Sequence, residues 1–345
     1  MPRSRRSAFT LVELLVVIGI IALLISILLP SLNSARGMAR SIKSAANMRS
    51  IGQAMQFYLN NYKQTYPAAY IYEGMTINGG TQLPATSDKG YRHVSSFLYG
   101  NETIQRNATE TYGLGQRGSI PGSESFRNPQ IDNGGLPPTN ASADNKDPDQ
   151  TPDTADVVDY QAPRIGYIFN EAICPKNKFV VGFQGSTATP YQFVKTSAIR
   201  NSSGTILATE VINDWRIVSG APRGGGGSAV CKSHRPLHGF NWKVDRSNAG
   251  VDMEKMTAGT TEYFKVRYDD LYKNTPSDFE PTGTKSRLDW VGRYAGQGSW
   301  EKKRTNFLYV DGHVETKHIK ETMSDTWEWG DKMYSLRTTA TVSQN

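Results

Sequence analysis

Apolar positions along the chain fall into three regimes. From Phe9 to Leu29 they run almost without interruption, and Glu13 is the only charged residue among those 21 positions. As a helix rising about 1.5 Å per residue, the run reaches roughly 31 Å, enough to cross a hydrocarbon core of about 30 Å. After Pro30 the pattern turns periodic. Leu32, Ala35, Ala39, Ile42, Ala45, Met48, Ile51 or Gly52, Met55, Leu59 and Tyr62 advance by three or four, which is one stripe on an amphipathic helix. Arg36, Arg40, Lys43 and Arg49 lie mostly off that stripe. The two regimes join into one predicted rod from Phe9 to Asn61 or Tyr62. It stops before Tyr66-Pro67, because a residue preceding proline is pushed out of the helical region.

Past Tyr66 the pattern changes to short strands and turns. Residues 101–160 are polar and turn-rich, with Asn133-Gly134-Gly135 and Leu136-Pro137-Pro138 among them. Strand signals lie at Ile165–Asn170, Phe179–Phe183 and Thr205–Val211, the last with the composition of a buried strand. Asn306–Glu315 reads as a hairpin turning at Asp311-Gly312. One long helix followed by antiparallel strands predicts an α+β fold, a sheet-based head with long loops packed on the helix's second half. The expected organisation is a basic leader at 1–8, a membrane-spanning or core helix at 9–29, an amphipathic continuation at 30–62, and a head at 63–345 that is loop-rich over 101–160.

Charge refines this picture. The formal net charge is +7, which admits nucleic acid or an anionic surface as partners until its distribution is considered. Residues 1–8 hold Arg3, Arg5 and Arg6 and no acid, a pattern that keeps this end of an apolar span in the cytoplasm and sends the rest across the inner membrane. Leader charge and a mildly basic, loop-rich head then account for the excess, and no nucleic acid partner is expected. An ordinary secretory signal fits less well, because its apolar core is about 7–15 residues and a small-residue cleavage site follows it.

Glu13 is the residue that a plain anchor leaves unexplained. A carboxylate near the start of a spanning helix costs a few kcal/mol and needs a partner or a purpose. The stretch Ser7-Ala8-Phe9-Thr10-Leu11-Val12-Glu13-Leu14-Leu15 resembles the prepilin processing signal of type IV pilins and type II secretion pseudopilins. The resemblance implies cleavage between Ala8 and Phe9 by a prepilin peptidase that also methylates the new Phe9 amine. It implies that Glu13 neutralises the N-terminal amine of a neighbouring subunit, and that Pro30 shapes the rod. The expected partners are that peptidase/N-methyltransferase, other pilin-like subunits, an inner-membrane assembly platform and the lipid bilayer. Ala8 stands where the family usually has glycine.

The head carries a second resemblance. Ser125–Pro129, Gly166–Glu171, Ser197–Glu210 and Asn306–Val314 are similar, in order, to landmarks of a large-headed prepilin-type group with a C-terminal H-x9-DG motif. Asp311 and Gly312 are the motif residues. Glu301 stands where that motif has histidine, and Asn128-Pro129 stands where the group has Cys-Pro, so no redox or metal role is carried over to either position.

Other constellations are weak. Cys231, His234 and His238 have zinc-like spacing, but a fourth ligand or an open water position must come from elsewhere, and Pro236 breaks any helix that would align the two histidines. Cys174 and Cys231 are the only cysteines, and geometry decides whether they pair. The aspartate-rich stretch Asn140–Asp159 has no EF-hand spacing and reads as a solvated loop. Gly224–Ser228 lacks the lysine and the strand–helix context of a phosphate loop. Trp327-Glu328-Trp329, with Tyr263, Tyr268 and Tyr272, suits a sugar platform or, more commonly, a core. No nucleophile elbow is present, and no catalytic residue, metal or cofactor is expected. The sequence therefore predicts a non-enzymatic pilin-like filament subunit. The alternative is a membrane-anchored module whose head binds carbohydrate or another extracellular polymer.

Overall fold

The computed structural model describes residues 10–72, 89–99, 123–136, 158–162, 164–176, 192–212, 235–241, 263–271, 287–296, 298–324, 326–336 and 342–343. Helix α1, Leu11–Asn61, is continuous through Pro30. It ends where Lys63 and Gln64 take left-handed φ values of 52° and 56° and the Gln64 N–H donates back to the Leu59 carbonyl at 2.8 Å.

The head clothes only the last third of this rod. Ser44, Ala45, Met48, Ile51, Gly52, Ala54, Met55 and Leu59 are buried, in the predicted three-and-four spacing. Fully burying each of the large apolar members is worth about 1.5–3 kcal/mol. The lower part of the predicted stripe behaves differently: Leu32 and Ile42 are 46% and 69% exposed, and among the described residues the helix has no buried position before Ser44. Tyr62 is exposed as well, with its ring stacked on Tyr58.

The central sheet is formed by β4 (Tyr167–Phe169), β5 (Ile206–Glu210), β8 (Thr305–Tyr309) and β9 (Val314–Lys317), in that order and antiparallel throughout. Both of its faces are covered, so β5 and β8 are buried at every position. Tyr167, Phe169, Leu207 and Leu308 pack with Met48, Ile51 and Met55 of α1. On the other face Ile168, Ile206, Phe307 and Tyr309 pack with Trp290 and Trp329. Burial on both faces is why these strands read as unbroken apolar runs rather than alternating ones.

Two three-stranded sheets flank the centre, and each mixes directions. In the first, β1 (Tyr70–Tyr72) pairs antiparallel with β2 (Lys89–His93), and β2 pairs parallel with β3 (Val158–Tyr160). In the second, β7 (Tyr263–Lys265) pairs antiparallel with β6 (Phe240–Asn241) and parallel with β10 (Val342–Ser343). A short helix α2, Val94–Tyr99, follows β2. The strand expected at Phe179–Phe183 lies outside the described residues, as does most of 101–160. Within that stretch the turn Ser123–Phe126 packs on α1 and sends Phe126 into the core.

The β8–β9 hairpin turns at Asp311-Gly312, with Gly312 at a φ of 95° that favours glycine. This turn sits on α1 at Gly52, where an added Cβ would lie 3.0 Å from Leu308 Cδ1 and 3.4 Å from Gly312 Cα. Gly52→Val is expected to destabilise the head by about 1–3 kcal/mol through overpacking. Gly52→Ala gains up to about 1 kcal/mol of helix propensity that offsets its milder crowding. A lower urea midpoint for Val than for Ala checks this.

His93 supplies a pH dependence. Its ring is buried, and Nδ1 accepts the Ser95 N–H at 3.2 Å. Burial pushes its pKa down to about 3, whereas an unfolded histidine titrates near 6.5. Between those values the unfolded chain holds the extra proton, so stability is full above about pH 6.5 and falls as the pH drops toward 3, by up to about 1.4 kcal/mol per unit. Denaturation midpoints at pH 7 and pH 5 measure the slope, and His93→Gln is expected to flatten it.

Candidate functional site: the N-terminal helix and its seat in the head

The start of α1 is a capping box. Thr10 Oγ1 accepts the Glu13 N–H at 3.2 Å, while Glu13 Oε2 accepts the Thr10 N–H at 2.9 Å and the Thr10 hydroxyl at 2.8 Å. The first turn of any helix has unpaired N–H groups, and in an apolar setting each is costly. Glu13 thus has a local task in addition to the one its family resemblance implies. Thr10 was missed as a site residue, although Thr-x-x-Glu ahead of an apolar run is a readable capping signal.

From Leu11 to Leu29 the helix is bare, its large apolar side chains between 46% and 78% exposed, and it is long and apolar enough to cross a membrane. Its hydroxyls are satisfied internally: Ser26 donates to the Leu23 carbonyl at 2.7 Å and Ser31 to the Leu28 carbonyl at 2.8 Å. Pro30 has no N–H, so the Ser26 carbonyl lacks its helical donor and is open to a neighbour.

At the other end, α1 is locked to the head by Glu210, a fully buried carboxylate on β5. Its Oε1 accepts from Ser44 Oγ of α1 at 2.5 Å, Gln130 Nε2 at 2.6 Å, Asn128 Nδ2 at 3.2 Å and Asn306 Nδ2 at 3.3 Å. Its Oε2 accepts from Thr305 Oγ1 at 3.0 Å and the Asn306 N–H at 3.1 Å. Tyr167 OH of β4 adjoins Ser44 Oγ at 3.0 Å, and Asn306 Nδ2 also reaches the Ser41 carbonyl at 3.2 Å. Burial pushes the Glu210 pKa up, and the hydrogen bonds from Ser44, the Asn306 N–H, Thr305 and Gln130 pull it back. One side chain therefore ties the helix, the 128–130 turn and two strands.

The residues singled out from sequence are distributed as follows. Ala8, Phe9 and Cys231 lie outside the described residues, and so do Gly224–Ser228, His234 and Tyr272. Glu13 and Pro30 are on the bare helix. Asp311 and Gly312 form the turn against α1, and Asp311 Oδ1 accepts the His313 N–H at 3.1 Å. Cys174 is buried, and desolvation holds its thiol above the ordinary range. Asn128, at the group's cysteine position, is a donor to Glu210, and Glu301 accepts from Tyr268 OH at 3.2 Å. Trp329 is buried in the core and Trp327 packs against it, while buried Glu328 bonds Tyr309 OH, so this aromatic cluster is core rather than platform. Ser44 and Glu210 were missed as a site. The signal was present: an acid inside a strand of buried composition, and a serine on an apolar stripe.

Residues 3–29 match the prokaryotic N-terminal methylation motif. With the long helix and the antiparallel four-stranded sheet, the motif supports a type IV pilin-like reading: an α+β fold behind an N-terminus of the kind that prepilin peptidase processes. The match covers the N-terminal motif alone. No curated protein and no solved structure matches the chain.

Proposed function

We propose that the protein is a pseudopilin-like structural subunit. It is cut between Ala8 and Phe9, methylated on Phe9, and assembled through its N-terminal helix into a type II secretion or type IV pilus-like filament. The observation that carries this reading is the division of α1: a bare apolar segment with the methylation motif, followed by a segment seated in the head. The capping box uses an oxygen of Glu13 but not its charge, whereas bundled copies supply an amine that matches the charge as well. Leader arginines hold the N-terminus in the cytoplasm, so the head stands outside the inner membrane. The subunit's work is mechanical and needs no catalytic centre.

Mass spectrometry of the mature N-terminus tests it. A chain beginning at N-methyl-Phe9 is expected. An intact Met1-Pro2 start would overturn the reading in favour of a simple anchored module.

A further inference from the structure

From Leu14 to Asn61 the helix contains no acid, yet it carries Arg36, Arg40, Lys43 and Arg49. Arg36, Arg40 and Lys43 recur at i, i+4 and i+7 and so share one face, and none of the three forms an ion pair among the described residues. The face runs into a groove of about 530 Å³ between α1 and the 124–134 turn, lined by Arg40, Lys43, Asn47, Arg127, Glu124 and Asp132. Asn47 Nδ2 holds the Arg127 carbonyl at 2.8 Å, which fixes the groove wall. Glu124 lies 3.8 Å from Arg127 and balances it, leaving Arg40 and Lys43 against Asp132, with Arg36 beyond. The groove and its approach are net positive. Among the described residues the helix is buried only from Ser44 onward, and Arg36, Arg40 and Lys43 are exposed.

A filament built on the bare helix sets copies side by side, and identical cationic stripes then repel unless an anion lies between them. The chain supplies one: between Asp144 and Asp156 it has five aspartates against Lys146 alone. We propose that the groove and its cationic approach receive the Asp144–Asp156 segment of a second copy, a head-to-tail contact in which every subunit offers both partners. Contacts of this heterologous kind propagate along a helical assembly without closing. The inference rests on the filament reading above.

The test uses the mature chain, cut before Phe9 by co-expressed prepilin peptidase and reconstituted in membranes, as an equal mixture of unlabelled and heavy-isotope-labelled copies. A zero-length carbodiimide joins lysine amines to neighbouring carboxylates, and peptide mass spectrometry reads the products. The expected product joins Lys43 to the Asp144–Asp156 segment in mixed-isotope pairs. Its yield falls roughly tenfold with Arg36→Glu/Arg40→Glu, and recovers when the neighbouring copy carries Asp147→Arg/Asp149→Arg. Both arginine side chains are exposed and form no ion pair among the described residues, so the head is expected to fold in these variants. Sedimenting assemblies that lack this product, or that show it only within single copies, overturn the groove assignment and leave the filament reading standing. A chain that sediments only as single subunits overturns both.

Discussion

Glu210→Ala is expected to unseat the head from its helix. The substitution leaves Ser44, Asn128, Gln130, Thr305 and the Asn306 N–H facing a vacated, buried position. Each unsatisfied buried donor costs about 1–3 kcal/mol. Water entering the space recovers part of that, and the net loss is on the order of 4 kcal/mol, a large fraction of a typical domain's 5–15. Glu210→Gln is milder, about 1–3 kcal/mol. Its amide oxygen can serve only one half of the donor set, and while hydroxyls can rotate, the Asn306 N–H cannot. Urea denaturation followed by the fluorescence of buried Trp290 and Trp329 reads the order wild type, Gln, Ala. A midpoint for Glu210→Ala equal to wild type would mean that the carboxylate is not what holds α1 in place.

The second large effect concerns assembly rather than stability. Glu13→Ala is expected to give a chain that inserts into the membrane but does not sediment as filaments. The observed capping role and the proposed charge-pairing role of that side chain separate by substitution. Glu13→Gln keeps an oxygen that can accept the Thr10 N–H, so the capping box survives while the charge is gone. Thr10→Ala removes the cap, worth about 1 kcal/mol, and keeps the charge. Charge pairing with a neighbour's amine predicts that Gln fails as Ala does and that Thr10→Ala assembles with reduced yield. Filament formation by Glu13→Gln at the wild-type level would assign the residue to capping alone.

The long helix was readable because its two halves obey simple rules, an unbroken apolar run and then a three-and-four stripe. Where the stripe would stop being covered was not readable. Leu32 and Ile42 have the same spacing as Met48 and Ile51, and only the reach of the head distinguishes them. The β8–β9 hairpin was legible from Asp311-Gly312 because a two-residue turn signal is local. The parallel pairings of β3 and β10 were not, since they join segments whose partners lie far away in sequence. Ser44 and Glu210 each stand out locally, but their pairing was hidden for the same reason: a serine on helix α1 and a glutamate 166 positions later look unrelated until the fold brings them together. Thr10 is a different case, a local signal present in the sequence and passed over.

The seat also has a consequence for timing. Asn306 reaches the Ser41 carbonyl across 265 positions, and Gln56 reaches the Val310 carbonyl across 254. Contacts so distant form late, after their loop-closure entropy has been met. Because synthesis runs from the N-terminus, the apolar segment emerges while β8 is still untranslated. On the proposed reading, lipid is available to the helix before any seat exists for its upper third, and insertion is expected to precede the head's final closure on α1.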